Sequence, residues 1–415
     1  MHPLGQGQMT QPSLSATLAP MQTTEYIAQI VAELCKDASG RPTGSKANQQ
    51  AAAYSRHQLH AMGYPVRLDR FPCMDWQDLG SVLNAGGDAV PVQTSPYAPS
   101  GHASGIVEKA SSLGELKRLR RRNAVIAVSG ELTREPLMPK NFPFYNPDEH
   151  REIISLLEAL EPQAVIAVTS SAKPVTVFED GDLTFPSVTV CEEHAEALLS
   201  RTPARAELIV RTRSASSEGA NCIALKDTGA AERIVICAHI DTHRGSPGAL
   251  DNAAGVSVVL ASAALLREYR GPFNLEFVLF NGEDYYSNPG EQLYVAQNRE
   301  RFSSVALAVN IDGAGYRAGR TACTCYQCDE HLSAALAELV RSEPGCVLGA
   351  PWYESDHSLF IQHGCPAAAM TSEMLEEVMT VTHTPMDTVN QLDIGTLATA
   401  ARMTVRMVET LHTLI

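Results

Sequence analysis

Four short runs of almost unbroken apolar residues constrain this chain more than any other feature: ERIVICAHI (232–240), NLEFVLFN (274–281), SVALAVNID (304–312) and PAAAMTS (366–372). A strand with one wet face alternates apolar and polar residues, whereas a strand covered on both faces reads as a continuous apolar run. Helical stretches lie between them: AAGVSVVLASAALLREYR (253–270), DEHLSAALAELVRS (329–342) and IGTLATAARMTVRMVETLHTLI (394–415). Alternating strands and helices predict an α/β fold, with a mixed, mostly parallel sheet sandwiched by helices. Helices over 21–37 and 47–64 and a strand over 65–71 come first, and that sheet is the surface they need.

From about residue 80 the character changes. Short β-like runs (GDAVPVQT, ASGIVEKA, NAVIAVSG, QAVIAVTS, FPSVTVCE) alternate with predicted helices SLGELKRLRRR (112–122) and EHREIISLLEAL (149–160). This predicts a small α/β domain, residues 80–209, inserted into a larger one made of 21–79 and 210–415, behind a disordered lead-in at 1–20. The basic run KRLRRR (117–122) reads as a solvated helix end, where cations complement the helix dipole, in preference to a site for an anionic partner.

Charge and composition exclude several classes. With 32 basic and 47 acidic residues the net charge is −15, which disfavours nucleic acid and anionic membranes as partners. No apolar run is long enough for a spanning helix. The polar N-terminus lacks the pattern of a secretory leader, and most of the ten cysteines sit singly in apolar contexts, so the expectation is a cytoplasmic chain with reduced thiols. Cys323, Cys325 and Cys328 lack the paired spacing of a structural zinc site; they are expected as loop thiols near the site, with a disulfide or a metal as lesser alternatives.

The chemistry-bearing residues follow the apolar runs. IVICA leads to His239 and Asp241, LEFVLF to Glu283 and Asp284, and VALAV to Asp312; Asp251 precedes the long helix and His383 comes late. In open α/β sheets, sites form outside the carboxyl ends of the strands. Two imidazoles and several carboxylates are an N/O set suited to zinc or a similar divalent metal. One carboxylate can bridge two ions, so five side chains can hold a pair that activates water and polarises a carbonyl. Asp241 is placed to orient His239. Of the adjacent pair Glu283 and Asp284, one can ligate while the other serves as general base.

The ordered set CAHIDT…GALDNAAGVSVVL…NGED…NIDG…SDHSLF…HTPMDT, with RPTGSKANQQAAAYSRHQLHAMGYPVRLDRF before it, resembles the M28 family of zinc aminopeptidases over residues 22–78 and 218–415. The segment 80–205 resembles the protease-associated (PA) domain often inserted there. The resemblance implies two Zn2+ ions, one held by His239 and Asp312, the other by Asp284 and His383, with Asp251 bridging. It implies Glu283 as general base and Asp241 as the partner of His239. Asp284 departs from the Glu of many family members and is one methylene shorter. SDHSLF and the residues after the base make Asp356, His357, Tyr285 and Tyr286 candidate substrate or supporting contacts. His243 reads as a loop histidine, with metal or substrate contact as the lesser alternative.

The leading expectation is an aminopeptidase acting on peptides with a free N-terminus. A carboxypeptidase for acidic residues, another amide hydrolase or a one-zinc glutaminyl cyclase would use the same scaffold, and Arg244, Arg317 and Arg320 lie close enough in sequence to serve the first of these. A non-catalytic binding protein is disfavoured, because every ligand position and the base are filled. Homo-oligomerisation is left open.

Overall fold

A computed structural model describes residues 20–170, 175–200 and 203–414. The expected lead-in falls almost wholly outside these residues. In chain order the strands are β1 Val66–Ala85, β2 Asp88–Val90, β3 Gln93–Thr94, β4 Gly101–Ala110, β5 Val125–Val128, β6 Ala164–Thr169, β7 Ser187–Cys191, β8 Arg205–Lys226, β9 Arg233–His239, β10 Asn274–Phe280, β11 Val305–Ile311, β12 Thr321–Tyr326, β13 Cys346–Leu348 and β14 Ala367–Ser372. The helices are α1 Pro20–Leu34, α2 Lys46–Ala61, α3 Leu113–Leu116, α4 Asp148–Ala159, α5 Glu196–Leu199, α6 Ala254–Leu265, α7 Pro289–Asn298, α8 Glu330–Ser342, α9 His357–Gln362, α10 Leu375–Val381 and α11 Ile394–Thr413.

The main sheet runs β13-β12-β14-β11-β9-β10-β8, with β1 beyond β8. Its centre, β14-β11-β9-β10, is parallel, while β12 and β8 join antiparallel. The four apolar runs are these four parallel strands. Alternate residues explain their composition. Ile234, Ile236, Phe277 and Val309 face one core with α1, α2, α6, α8 and α11. Val235, Cys237, Val278 and Ala308 face a second core with α7 and α9. Helix α6 is buried on every side from Ala254 to Ala264, which is why that stretch is built of Ala, Gly, Ser, Val and a single Leu, Leu260.

Strands β1 and β8 form one long antiparallel ribbon that runs out of this sheet and into a second one. The inner part of β8 pairs with β10 and its outer part with β4, which continues β4-β5-β6-β7-β3. Two further hydrophobic clusters cover the faces of that second sheet. The expected boundaries 79/80 and 209/210 therefore fall inside continuous strands, and the ribbon changes register between Asp78 and Ser81.

Several local expectations change. SLGELKRLRRR is helical only over Leu113–Leu116. The chain turns away because five like charges crowd the run, and three of them leave for carboxylates: Lys117 pairs with Glu152 at 2.7 Å, Arg122 with Glu161 at 3.2 Å and Arg121 with Glu108 at 3.7 Å. GDAVPVQT is two short strands, β2 and β3, interrupted at Pro91, which has no N–H to give a ladder. The Cys323–Cys325 stretch is not a loop but strand β12. Cys323 and Cys346 are buried in the main core, with Cys325 and Cys328 packed against it.

Arg233 at the start of β9 and Glu276 on β10 form an ion pair of 2.9 Å, both side chains almost fully buried. Removing one partner of such a pair strands a buried charge at about 3–5 kcal/mol. Glu276→Ala should lower stability by that amount in urea unfolding, and adding Arg233→Met should restore a large part of it.

Candidate metal centre and active site

Because β9, β10, β11 and β14 are parallel, their carboxyl ends share one edge, and the polar residues after each run converge there. His239 ends β9, Asp312 follows β11, and Glu283 and Asp284 follow β10 in a turn. Gly282 in that turn has φ +114°, a conformation that residues with a Cβ avoid. Asp251 arrives on the irregular turn before α6, and His383 on the loop after α10.

The carboxylate of Asp251 stands between the two histidines. Its Oδ1 is 3.0 Å from His239 Nε2 and its Oδ2 is 3.1 Å from His383 Nε2. Asp312 Oδ2 lies 3.6 Å from His239 Nε2, and Asp284 Oδ1 lies 3.0 Å from His383 Nε2. Potential ligand atoms converge within 4.8 Å in three overlapping sets: His239, Asp251 and Asp312; Asp251, Asp284 and His383; His239, Glu283 and Asp284. Among the described residues no such set involves the cysteines.

The electrostatics of the cluster call for cations. Burial opposes protonation of His239 and His383, yet Asp312, Asp251 and Asp284 outweigh it and hold both imidazoles well above their ordinary pKa. Burial likewise opposes ionisation of Asp251, but the two histidines hold its carboxyl low. Burial raises Glu283 well above the usual carboxylate range, and Asp284, Asp312 and Asp356 add to the rise. Both nitrogens of His239 and Oδ2 of Asp284 are buried without a hydrogen-bond partner. Imidazole nitrogens and carboxylate oxygens placed this way fit divalent metal ions.

Most arms of the cluster, His383 excepted, are held from behind. Asp241 accepts from the backbone N–H of Gly282 at 2.8 Å, Asp284 at 3.0 Å and Glu283 at 3.3 Å, and from the Thr43 hydroxyl at 2.8 Å. Its Oδ1 also faces His239 Nδ1 at 3.6 Å. Arg41, buried, donates to the carbonyls of Ile240 (2.6 Å), Pro247 (3.0 Å) and Gly248 (2.9 Å), threading the loop after β9. Asp387 accepts from the N–H of Leu250 (2.7 Å) and Asp251 (3.1 Å). Asn310 donates to Ser355, which donates to Asp312. Sequence reasoning missed Thr43, Arg41, Asp387 and Ser355. The only signal available for them was their place inside the quoted motifs RPTGS, SDHSLF and HTPMDT.

The cleft over the cluster has a volume of about 120 Å³. Asp251, Glu283, Asp312 and His383 form its polar side, and Trp352, Leu375, Val378 and Met379 an apolar wall. None of the four candidate substrate or supporting contacts lines this cleft. Tyr285 is buried with Trp76 and Tyr97, and Tyr286 packs against them, because large aromatic faces seal the junction with the second sheet. His357 is buried and donates Nε2–H to the Trp352 carbonyl at 2.7 Å, so it supports the wall from behind. Asp356 is buried beneath the ligands, where burial and Glu291 raise its pKa well above the usual range. His243 joins no metal-holding set; it pairs with Glu179 at 3.1 Å.

Residues 221–408 match peptidase family M28. Over these residues the chain resembles that family. The protein is a metallopeptidase, a hydrolase. Its fold is shared with an aminopeptidase from Aneurinibacillus sp. strain AM-1, at 18% identity over 94% of this chain and 93% of that one, with a TM-score of 0.76. It is shared with a zinc aminopeptidase from Bacillus subtilis, at 19% identity over 93% and 94%, TM-score 0.71. A peptidase M28 precursor from Shewanella amazonensis aligns at 16% identity over 95% and 92%, TM-score 0.66. No curated protein matches the sequence. None of the chain's helices, among the described residues, is long and apolar enough to cross a membrane.

Residues that orient metal ligands from behind are typically worth about 10–100-fold in metal affinity or activity. Asp241→Asn should weaken Zn2+ binding by that factor, measured by competition with a chelating dye, while far-UV circular dichroism stays unchanged.

Proposed function

We propose that the protein is an aminopeptidase that removes N-terminal residues from peptides using two divalent cations, Zn2+ in the first instance. The observation that carries this reading is Asp251, whose two oxygens face different histidines at 3.0 and 3.1 Å, with Glu283 beside them at the floor of a small cleft. His239 and Asp312 would hold one ion, Asp284 and His383 the other, and Asp251 both. Ions bound there supply Lewis acidity, lowering the pKa of water and polarising the peptide carbonyl.

The rest falls to the chain's own residues. Glu283 takes the proton of the attacking water and returns it to the leaving amine. Before any cation is bound, burial and its acidic neighbours raise the Glu283 carboxyl well above the usual carboxylate range. A cleft of about 120 Å³ suits one side chain more than a through-running peptide, as an exopeptidase requires. The apolar wall suits an aliphatic or aromatic residue, and the surrounding carboxylates suit the cationic α-amine. Residues 80–209 are read here as the inserted PA-like domain, supported by their own sheet and cores.

Zn2+-loaded protein should strip residues stepwise from peptides with free N-termini and leave their acetylated counterparts intact, as read by mass spectrometry. Loss from C-termini, or equal cleavage of blocked peptides, would move the assignment to a carboxypeptidase or amidase. Glu283→Gln should lower kcat by about 10²–10⁴-fold, the usual worth of a general base, while Zn2+ stoichiometry is retained. Among N-terminal residues, leucine should exceed aspartate in kcat/KM by at least about tenfold, because the apolar wall cannot solvate a second carboxylate.

A further inference from the structure

His383 is the weakly held member of the cluster. Its side chain is 49% exposed, whereas that of His239 is fully buried. It sits on a loop at φ +60°, far in sequence from the strands that carry the other groups. A ligating histidine ordinarily donates its second ring nitrogen to a carboxylate or carbonyl, which sets the ring's orientation. The second ring nitrogen of His239 has the Asp241 carboxylate facing it at 3.6 Å, in a fully buried setting. For His383, no protein acceptor of a hydrogen bond from the second ring nitrogen is found among the described residues.

A different support is present. The ring of His243 lies against the ring of His383, centroids 4.7 Å apart and planes 11° from parallel. His243 is itself pinned at both ring nitrogens, by the Arg244 carbonyl at 3.2 Å and by the Glu179 carboxylate at 3.1 Å. Glu179 belongs to the middle segment, on a loop that is firmly set. Asp180 accepts from the N–H of Lys140 and of Asp182, both at 2.8 Å. Gly181 packs so closely on the Tyr286 ring that a Cβ there would come within 2.5 Å of it.

We propose that Glu179 is a positioning residue for the metal site of Asp284 and His383: it fixes His243, whose ring in turn holds His383 in ligating orientation. The inference rests on the two-cation reading above and extends it. The middle segment then completes one of the two sites and leaves the other, built on His239 and Asp312, to the main sheet alone. Affinity for the second ion becomes dependent on how the middle segment is seated.

The test is calorimetric titration of the metal-free full-length protein with ZnCl2, alongside steady-state kinetics on a leucyl chromogenic substrate. The variants are Glu179→Ala, Glu179→Gln, His243→Ala and His243→Phe, each checked for an unchanged melting temperature without metal. Glu179→Ala and His243→Ala should weaken one of two Zn2+ sites by about 10–100-fold and leave the other within about twofold of wild type. Glu179→Gln, which keeps a hydrogen-bond acceptor for His243, should recover part of the loss. His243→Phe, which keeps a flat ring but not the bond to Glu179, should be insensitive to a further Glu179→Ala. Two unchanged Zn2+ affinities with a raised KM would overturn the proposal and make Glu179 and His243 substrate contacts. Equal weakening of both sites would also overturn it, as a general structural effect. A wild-type protein that binds fewer than two Zn2+ would remove the two-cation reading and this inference with it, a failure visible before any variant is compared.

Discussion

The structure turns on the buried carboxylate of Asp241. A carboxylate taken out of water costs several kcal/mol unless it is paired and hydrogen-bonded on most of its lone pairs. Asp241 meets that demand with three successive backbone N–H groups of the turn after β10, the Thr43 hydroxyl and the edge of His239. Burial works to raise its pKa, but the contacts with His239, Gly282 and Thr43 keep it low, so the charge is retained. One side chain therefore fixes two things at once: the ring of His239 and the turn that presents Glu283 and Asp284. The same demand draws in the loop before α2, which is why Arg41 and Thr43 lie about 200 residues away in sequence from the groups they hold.

The other arms repeat this logic with different partners. Asp387 grips the backbone of Leu250 and Asp251, and Asn252 caps α6 through Gly255 N–H while donating to the Ile311 carbonyl. Asp312 is steadied by Ser355, itself fed by Asn310. Every strand end that brings a charged group to the edge also brings backbone held by another element. Acidic groups crowded this closely repel one another, so fixed backbone is what keeps them in place until cations balance them.

The middle segment is joined to this edge by more than the β1–β8 ribbon. Trp76, Tyr97, Tyr285 and Tyr286 form an aromatic junction, with the Arg244 guanidinium 5.4 Å from the Trp76 ring and 5.5 Å from the Tyr97 ring. Tyr285 and Tyr286 follow Glu283 and Asp284 directly in sequence, so adjacency made them candidate substrate contacts. Their large apolar faces are used to close the junction instead. Residues next to a catalytic group in sequence need not face the same space, because successive side chains in a turn diverge.

The sequence by itself determined the central sheet and the identity of the cluster. Burial on both faces writes a continuous apolar run, so β9, β10, β11 and β14 were legible almost to the residue, and with them the edge where His239, Asp312, Glu283 and Asp284 gather. Where burial is one-sided or absent the composition is ambiguous, and there the reading failed. The ribbon half of β8 is polar and exposed, the short strand β12 near the sheet's edge passed for a loop of cysteines, and a run of like charges passed for a helix. What only the tertiary structure decided is the set of long-range contacts: Asp251 standing between two histidines, Thr43 and Arg41 beneath the loop after β9, Asp387 behind Asp251, and Glu179 reaching His243 from the second sheet. These are hydrogen bonds and ion pairs between residues far apart in the chain. They leave no periodicity and no local composition, and they exist only once the backbone has brought the partners together.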